Sequence, residues 1–260
     1  MVAAGAIGRA SGADAGHFNS EGAALSPKAR WRKSADQRAN GLAPDYRPTA
    51  DGRWVVVSAR ADAKDANAII LSPDGRPSHS FAAGDGIEHV RCAPDGSIWI
   101  GYFDEGIFGG TLGAGGIVRF GNNGQPLWTY NDEVRGGKSF IDDCYAMTLL
   151  GNDLWTCFYS DFPIARIADG KETSWRNSVS GAKALAIEGS TVLLAGGYTL
   201  EQTRLAVLEL KGEEAKSLGS YHHLAMKDAA LLQGQSNTLH IVSGGVWSRM
   251  TVSEARAALG

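Results

Sequence analysis

The sequence predicts an all-β fold, a β-propeller of about five four-stranded blades behind a disordered N-terminal tail. Three observations carry this reading. A two-strand signal recurs along the chain, most clearly at residues 87–103 (IEHVRCAPDGSIWIGYF), then at 142–159 and 181–198, and more weakly at 227–244. Asp-Gly and Asn-Gly pairs punctuate the apolar runs, at Asp51-Gly52, Asp74-Gly75, Asp85-Gly86, Asp95-Gly96, Asn123-Gly124 and Asp169-Gly170. Both residue types tolerate the positive φ that tight hairpins demand. Glycine is abundant, with 34 residues, and helical patterning is confined to the last few positions. A repeat of this length is one small sheet that cannot bury its faces alone, so neighbouring copies must stack.

The elements follow in order. Residues 1–47 are rich in Ala, Gly, Ser and Arg, show no alternation and read as the disordered tail; residues 48–260 form the propeller domain. Short β-rich runs then fall at 54–59, 67–71, 98–103, 116–120 and 127–130, and again at 153–159, 164–167, 191–195, 205–210, 239–243 and 246–251. The repeats start near residues 87, 142, 181 and 227, giving spacings of 55, 39 and 46 residues. A blade of four short strands needs roughly 40–45 residues. The widest spacing holds the Gly-rich excursion 109–116. The last unit shows three strands, and a ring must hide its free edges, so a strand from just before Asp51 is expected to complete it. Residues 253–259 read as a short helix capped by Ser253.

Composition narrows the function. Charge is nearly balanced, with 25 basic and 28 acidic side chains and no basic block, which argues against nucleic acid. No apolar run approaches the roughly 18 residues that span a bilayer, so no membrane partner is expected. The first residues do not read as a secretory signal. The three cysteines, Cys92, Cys144 and Cys157, lie in apolar runs without CxxC spacing and read as buried thiols in a reducing, cytoplasmic setting. The 109–116 segment lacks the Lys-Ser or Lys-Thr of a phosphate loop, and no GxSxG, HExxH or calcium-loop pattern occurs. Trp99, Trp128, Trp155 and Trp175 read as blade packing.

The segment Asp95-Gly96-Ser97-Ile98-Trp99-Ile100-Gly101 resembles the propeller repeat in sensor domains of two-component regulators, with Gly151-Asn152-Asp153-Leu154-Trp155 as a partial copy. The strings GDGIEHV, GYFDEGIFG, IDDCYA and YSDFP are similar to uncharacterised bacterial propeller proteins over roughly residues 50 to 250. The resemblance implies a fold and no chemistry.

In a four-stranded blade the loop leading into the inner strand and the loop after the second strand open on one face. That places Asp85, Glu88, His89, Tyr102, Asp104 and Glu105 of the second blade there, with Asp142, Asp143, Tyr159 and Asp161 of the third. Ser180, Lys183, Tyr198 and Glu201 join them from the fourth. The expected function is a soluble module that binds a small molecule or a peptide at this acidic, Tyr-lined mouth. The alternative is a metal-dependent hydrolase or lactonase that holds a divalent cation with Glu88, Asp104, Asp143 and Asp161, since crowded carboxylates raise one another's pKa or recruit a cation.

Overall fold

The computed structural model describes residues 45–62, 65–109, 112–133 and 139–260. Its strands form five antiparallel sheets in chain order. Blade one is β1 (Asp45–Pro48), β2 (Trp54–Val57), β3 (Ala68–Leu71) and β4 (Pro77–Phe81). Blade two is β5 (Ile87–Cys92), β6 (Ile98–Tyr102), β7 (Ile117–Phe120) and β8 (Pro126–Thr129). Blade three is β9 (Asp143–Leu150), β10 (Asp153–Tyr159), β11 (Ile164–Ala168) and β12 (Lys171–Trp175). Blade four is β13 (Ala184–Glu188), β14 (Thr191–Ala195), β15 (Arg204–Lys211) and β16 (Glu214–His222). Blade five has three strands, β17 (Leu231–Gln235), β18 (Thr238–Ser243) and β19 (Val246–Thr251). Two short helices interrupt the loops, α1 (Asp104–Phe108) and α2 (Tyr130–Glu133), and α3 (Val252–Ala257) follows β19.

Two expectations are corrected. The strand before Asp51 is β1, which pairs with β2 in blade one, so blade five keeps three strands among the described residues. Ser253 does not cap the last helix. Thr251 does, accepting from the Glu254 amide while the Glu254 carboxylate accepts from the Thr251 amide, a reciprocal capping box. Most of the expected tail, residues 1–44, lies outside the described residues.

The sequence explains the layering. Inner and second strands have a neighbouring blade on both faces, so β14 (TVLLA) is buried at every position and β13 (ALAIE) at all but Glu188. The outermost strands β4 (PSHSF), β12 (KETSW) and β16 (EAKSLGSYH) face solvent and are polar. Apolar side chains pack from blade one through blade three, between blades three and four, and between blades four and five with α3. Each tryptophan of the repeat serves this packing, as Trp155 stacks on Trp175 at 5.6 Å and Trp99 meets Trp128 edge-on at 5.7 Å. Cys144 and Cys157 are buried free thiols, and Cys92 is partly buried.

Inner strands succeed one another around the axis, β5 beside β9, β9 beside β13, and β13 beside β17. The last approach demands glycine, because a Cβ on Gly234 would fall 1.7 Å from the Leu185 carbonyl oxygen. Arg47 of β1 links the first blade to the last, donating through Nη2 to Gln233 Oε1 at 2.8 Å and through Nε to the Val90 carbonyl at 3.0 Å. At the far end of the axis the Ser236 amide donates to Thr148 Oγ1 at 3.0 Å and its hydroxyl to the Leu149 carbonyl at 3.0 Å. Blades three and five therefore converge there, and the opposite end is left as the mouth.

Candidate functional site

The mouth is built from the loops after β2, β6, β10 and β14 and those leading into β5, β9, β13 and β17. It has two parts. On the side of blades one and two, polar groups are tied to one another. The Arg60 guanidinium pairs with Glu105 and, at 3.2 Å, with Asp85, and it lies 5.5 Å from the Phe103 ring centre. Asp85 also accepts from the Ala61 amide at 2.9 Å. The buried Asn67 side chain donates to the Ser58 and Gly84 carbonyls at 2.8 and 2.7 Å and accepts from the Ala83 amide at 2.8 Å. Tyr102 is fully buried, with its hydroxyl donating to the Ala83 carbonyl, and burial raises its pKa. Tyr102 is thus buried in the interior, while Asp85 and the exposed Glu105 are tied to loops through Arg60.

The other part, between blades two, three and four, is open. A cleft of about 420 Å³ is lined by Asp104, Phe108, Asp142, Asp143, Tyr145 and Tyr159. Two β-bulges shape it. In β5 the pairing jumps from Ile87 to His89, leaving Glu88 as the extra residue. In β9 it jumps from Cys144 to Ala146, leaving Tyr145 as the extra residue. A bulge bends its strand and re-aims the unpaired side chain, so adjacent inner strands offer a carboxylate and a phenol side by side. Two bulky residues in the bordering loops hold positive φ, Phe162 at 51° and Thr199 at 46°. Such backbone is costly for non-glycine residues and persists only where surrounding contacts impose it. Around Phe162 those contacts are aromatic, with Tyr145 at 5.2 Å, Tyr159 at 5.7 Å and Tyr198 at 6.1 Å.

Lys183 stands in this cluster with its Nζ 4.0 Å from the Tyr145 ring centre, a cation–π contact. The Tyr198 hydroxyl donates to that of Tyr145 at 2.7 Å. Glu88, Asp104 and Asp143 are close enough to act on one another. The Asp143 carboxyl is pushed up to about 6 chiefly by burial, with Asp104 and Glu88 adding to the rise and Lys183 opposing it. Glu88 is open to solvent at the channel yet crowded by protein, and burial raises its pKa against the pull of Lys183. The Tyr145 phenol is raised by burial, then by the Tyr198 hydroxyl and by Asp143 and Asp104. Lys183 therefore acts on two carboxylates, Glu88 and Asp143, while Asp104 adds a third acid beside Asp143.

The remaining expected residues sit apart from the cleft or at its rim. His89 is buried, and its pKa is drawn down to about 3, first by burial and then by Arg91, so it stays neutral. Asp161 accepts from Ser139 Oγ at 3.1 Å. Among the described residues no three His, Cys, Asp or Glu side chains are close enough to hold a metal ion. The structure adds Phe108, Tyr145 and Phe162, which sequence reasoning missed. Tyr145 carried no usable signal, because it is the extra residue of the β9 bulge and simple alternation does not place it. Phe108 carried none, because α1 was not expected.

Comparisons with known proteins bear on the fold. The model of the YxzG family matches residues 118–240, less than half of the chain. No curated protein sequence matches it. A functionally unknown protein from Desulfotomaculum acetoxidans is similar in structure at 14% identity and a TM-score of 0.52, over 81% of this chain and 68% of that one. A chain of a mitotic checkpoint complex is similar at 12% identity and a TM-score of 0.52, over 83% of this chain and 63% of that one. A candidate 6-phosphogluconolactonase of Bacteroides uniformis stands at 11% identity and a TM-score of 0.49, over 75% and 62%, too distant to bear on activity. Among the described residues no helix is long and apolar enough to cross a membrane. The chain is an all-β protein of five blade-like sheets, similar in fold to proteins of unrelated roles.

Proposed function

We propose that this protein is a binding module whose mouth seats a positively charged group of its ligand. The observation that carries this reading is the excess of acid at the cleft, where Asp104, Asp142 and Asp143 line the walls, Glu88 and Asp104 act on Asp143, and Lys183 is the one cation that acts on Glu88 and Asp143. Carboxylates withdrawn from water and crowded together are poorly stabilised when ionised. A second cation relieves that repulsion. Lys183 already shows how such a group is received, with its ammonium on the face of Tyr145 and within electrostatic reach of Glu88 and Asp143. An alkylammonium or a guanidinium with a slim apolar stem suits the same aromatic walls.

The test is a set of thermal melts of the full chain with N-acetyl-lysine methylamide, tetramethylammonium and, as the uncharged control, N-acetyl-norleucine methylamide. A ligand that binds only the folded state raises the midpoint. The two cations are expected to raise it, the control to leave it unchanged, and Asp143→Asn to abolish the effect. Equal shifts with the uncharged control would overturn the reading. A metal-dependent hydrolase is favoured by no observation, since it needs at least three convergent ligands. Its check is a melt with EDTA and added divalent ions, expected to be flat.

A further inference from the structure

Several large apolar side chains are left exposed around the mouth. Phe108, Tyr159, Tyr198, Leu200 and Leu224 are between 44 and 90% exposed, and all five lie in or border mouth loops. They form a continuous path. Phe108 and Tyr159 line the cleft. Tyr159 meets Phe162, which meets Tyr198. Leu200 follows in the turn at Thr199–Glu201, whose Glu201 amide donates to the Tyr198 carbonyl at 2.8 Å. The His223 amide then donates to the Thr203 carbonyl at 2.8 Å, which brings the turn bearing Leu224 alongside. Leu200 and Leu224 are 90 and 81% exposed, and neither joins a core cluster among the described residues. A contiguous apolar track of this kind on a soluble domain marks a surface that meets another molecule.

Resting on the proposal that the cleft seats a cation, we infer that its ligand is a polypeptide segment, with a Lys or Arg in the cleft and apolar side chains laid over Tyr198, Leu200 and Leu224. A small molecule fills the cleft and stops there. It leaves the track across blades four and five bare. An extended segment covers both, since each residue advances about 3.3 Å, and its basic side chain complements the carboxylates while its apolar ones complement the leucines.

The experiment is selection of random dodecapeptides displayed against the full chain, with the recovered peptides re-measured on the double variant Leu200→Ser, Leu224→Ser. Both positions are exposed, so the variant is expected to melt as the parent does, which is checked first. Enriched peptides are expected to carry a basic residue followed by apolar ones and to bind the variant about tenfold or more weakly. N-acetyl-lysine methylamide is expected to bind both forms equally. Peptides that ignore the double substitution, or no enrichment while the lysine derivative still binds, would overturn the segment and leave the cleft intact. If the lysine derivative also fails, the cation seat itself falls.

Discussion

Asp85 and Asp143 are the same residue type, each close to the start of an inner strand and on the same face of adjacent blades. Their surroundings set them apart. Asp85 accepts from the Ala61 amide and faces the Arg60 guanidinium, a cation that Glu105 shares. Asp143 faces Glu88 and Asp104 and shares one ammonium with Glu88, and burial chiefly raises its pKa to about 6. One half of the mouth spends its charge on holding loops together. The other half retains charge that the fold does not consume. A site is recognised here by what its groups lack, and Asp85 and Glu105, tied to Arg60, supply the internal control.

The comparison breaks most visibly at Asn67. Replacing it with Ala strands two carbonyls and one amide in the interior, and the expected cost is about 3 kcal/mol or more, read as a lower urea midpoint. Cation binding in any surviving folded protein should persist, because the cleft lies on the other side.

Next is Lys183→Met, which leaves the carboxylates of the open half without their ammonium. Stability should fall by about 1–2 kcal/mol at pH 8 and hardly at all at pH 4, as measured by melts at the two pH values. The sign follows from Asp143. Its folded pKa, about 6, lies above the ordinary aspartate value of 3.8, so the folded state holds its proton more tightly. That contribution is fully present below the unfolded value and is lost as pH rises toward 6. Asp143→Asn should flatten this slope and raise the melting temperature above that of the parent at pH 8.

A smaller effect is expected at Arg60→Ala, about 1 kcal/mol, because Arg60 is itself about a third exposed and solvent screens its pairs. The loss should shrink further in high salt, with cation binding unchanged. The smallest is Tyr198→Phe, which removes one exposed hydroxyl bond to Tyr145 and should shift stability by about half a kcal/mol. Its informative readout is a weaker fluorescence or NMR response of Tyr145 to the bound cation.

Second strands were legible in the sequence because their apolar runs end at turn residues, as in 98–103 and 191–195. The outermost strands β4, β12 and β16 were not. They are polar on both sides, and only pairing with an inner neighbour reveals them. The face that bears the mouth was legible from blade topology, which is why Asp104, Asp142, Asp143 and Tyr159 were placed on it and do line the cleft. Two things were hidden. The bulges that present Glu88 and Tyr145 are properties of strand pairing, which a single strand's sequence does not record. The partners that neutralise Asp85 and Glu105 come from Arg60, a residue of another blade. Blade five likewise looked incomplete in the sequence, but the strand expected to finish it was already the inner strand of blade one.

The most direct measurement is the titration of the Asp143 side-chain carboxyl by NMR, with and without N-acetyl-lysine methylamide. The free protein should titrate near 6, and the bound cation should draw that value down, since an added positive charge favours the carboxylate. An ordinary value of about 3.9, unmoved by the cation, would contradict the account.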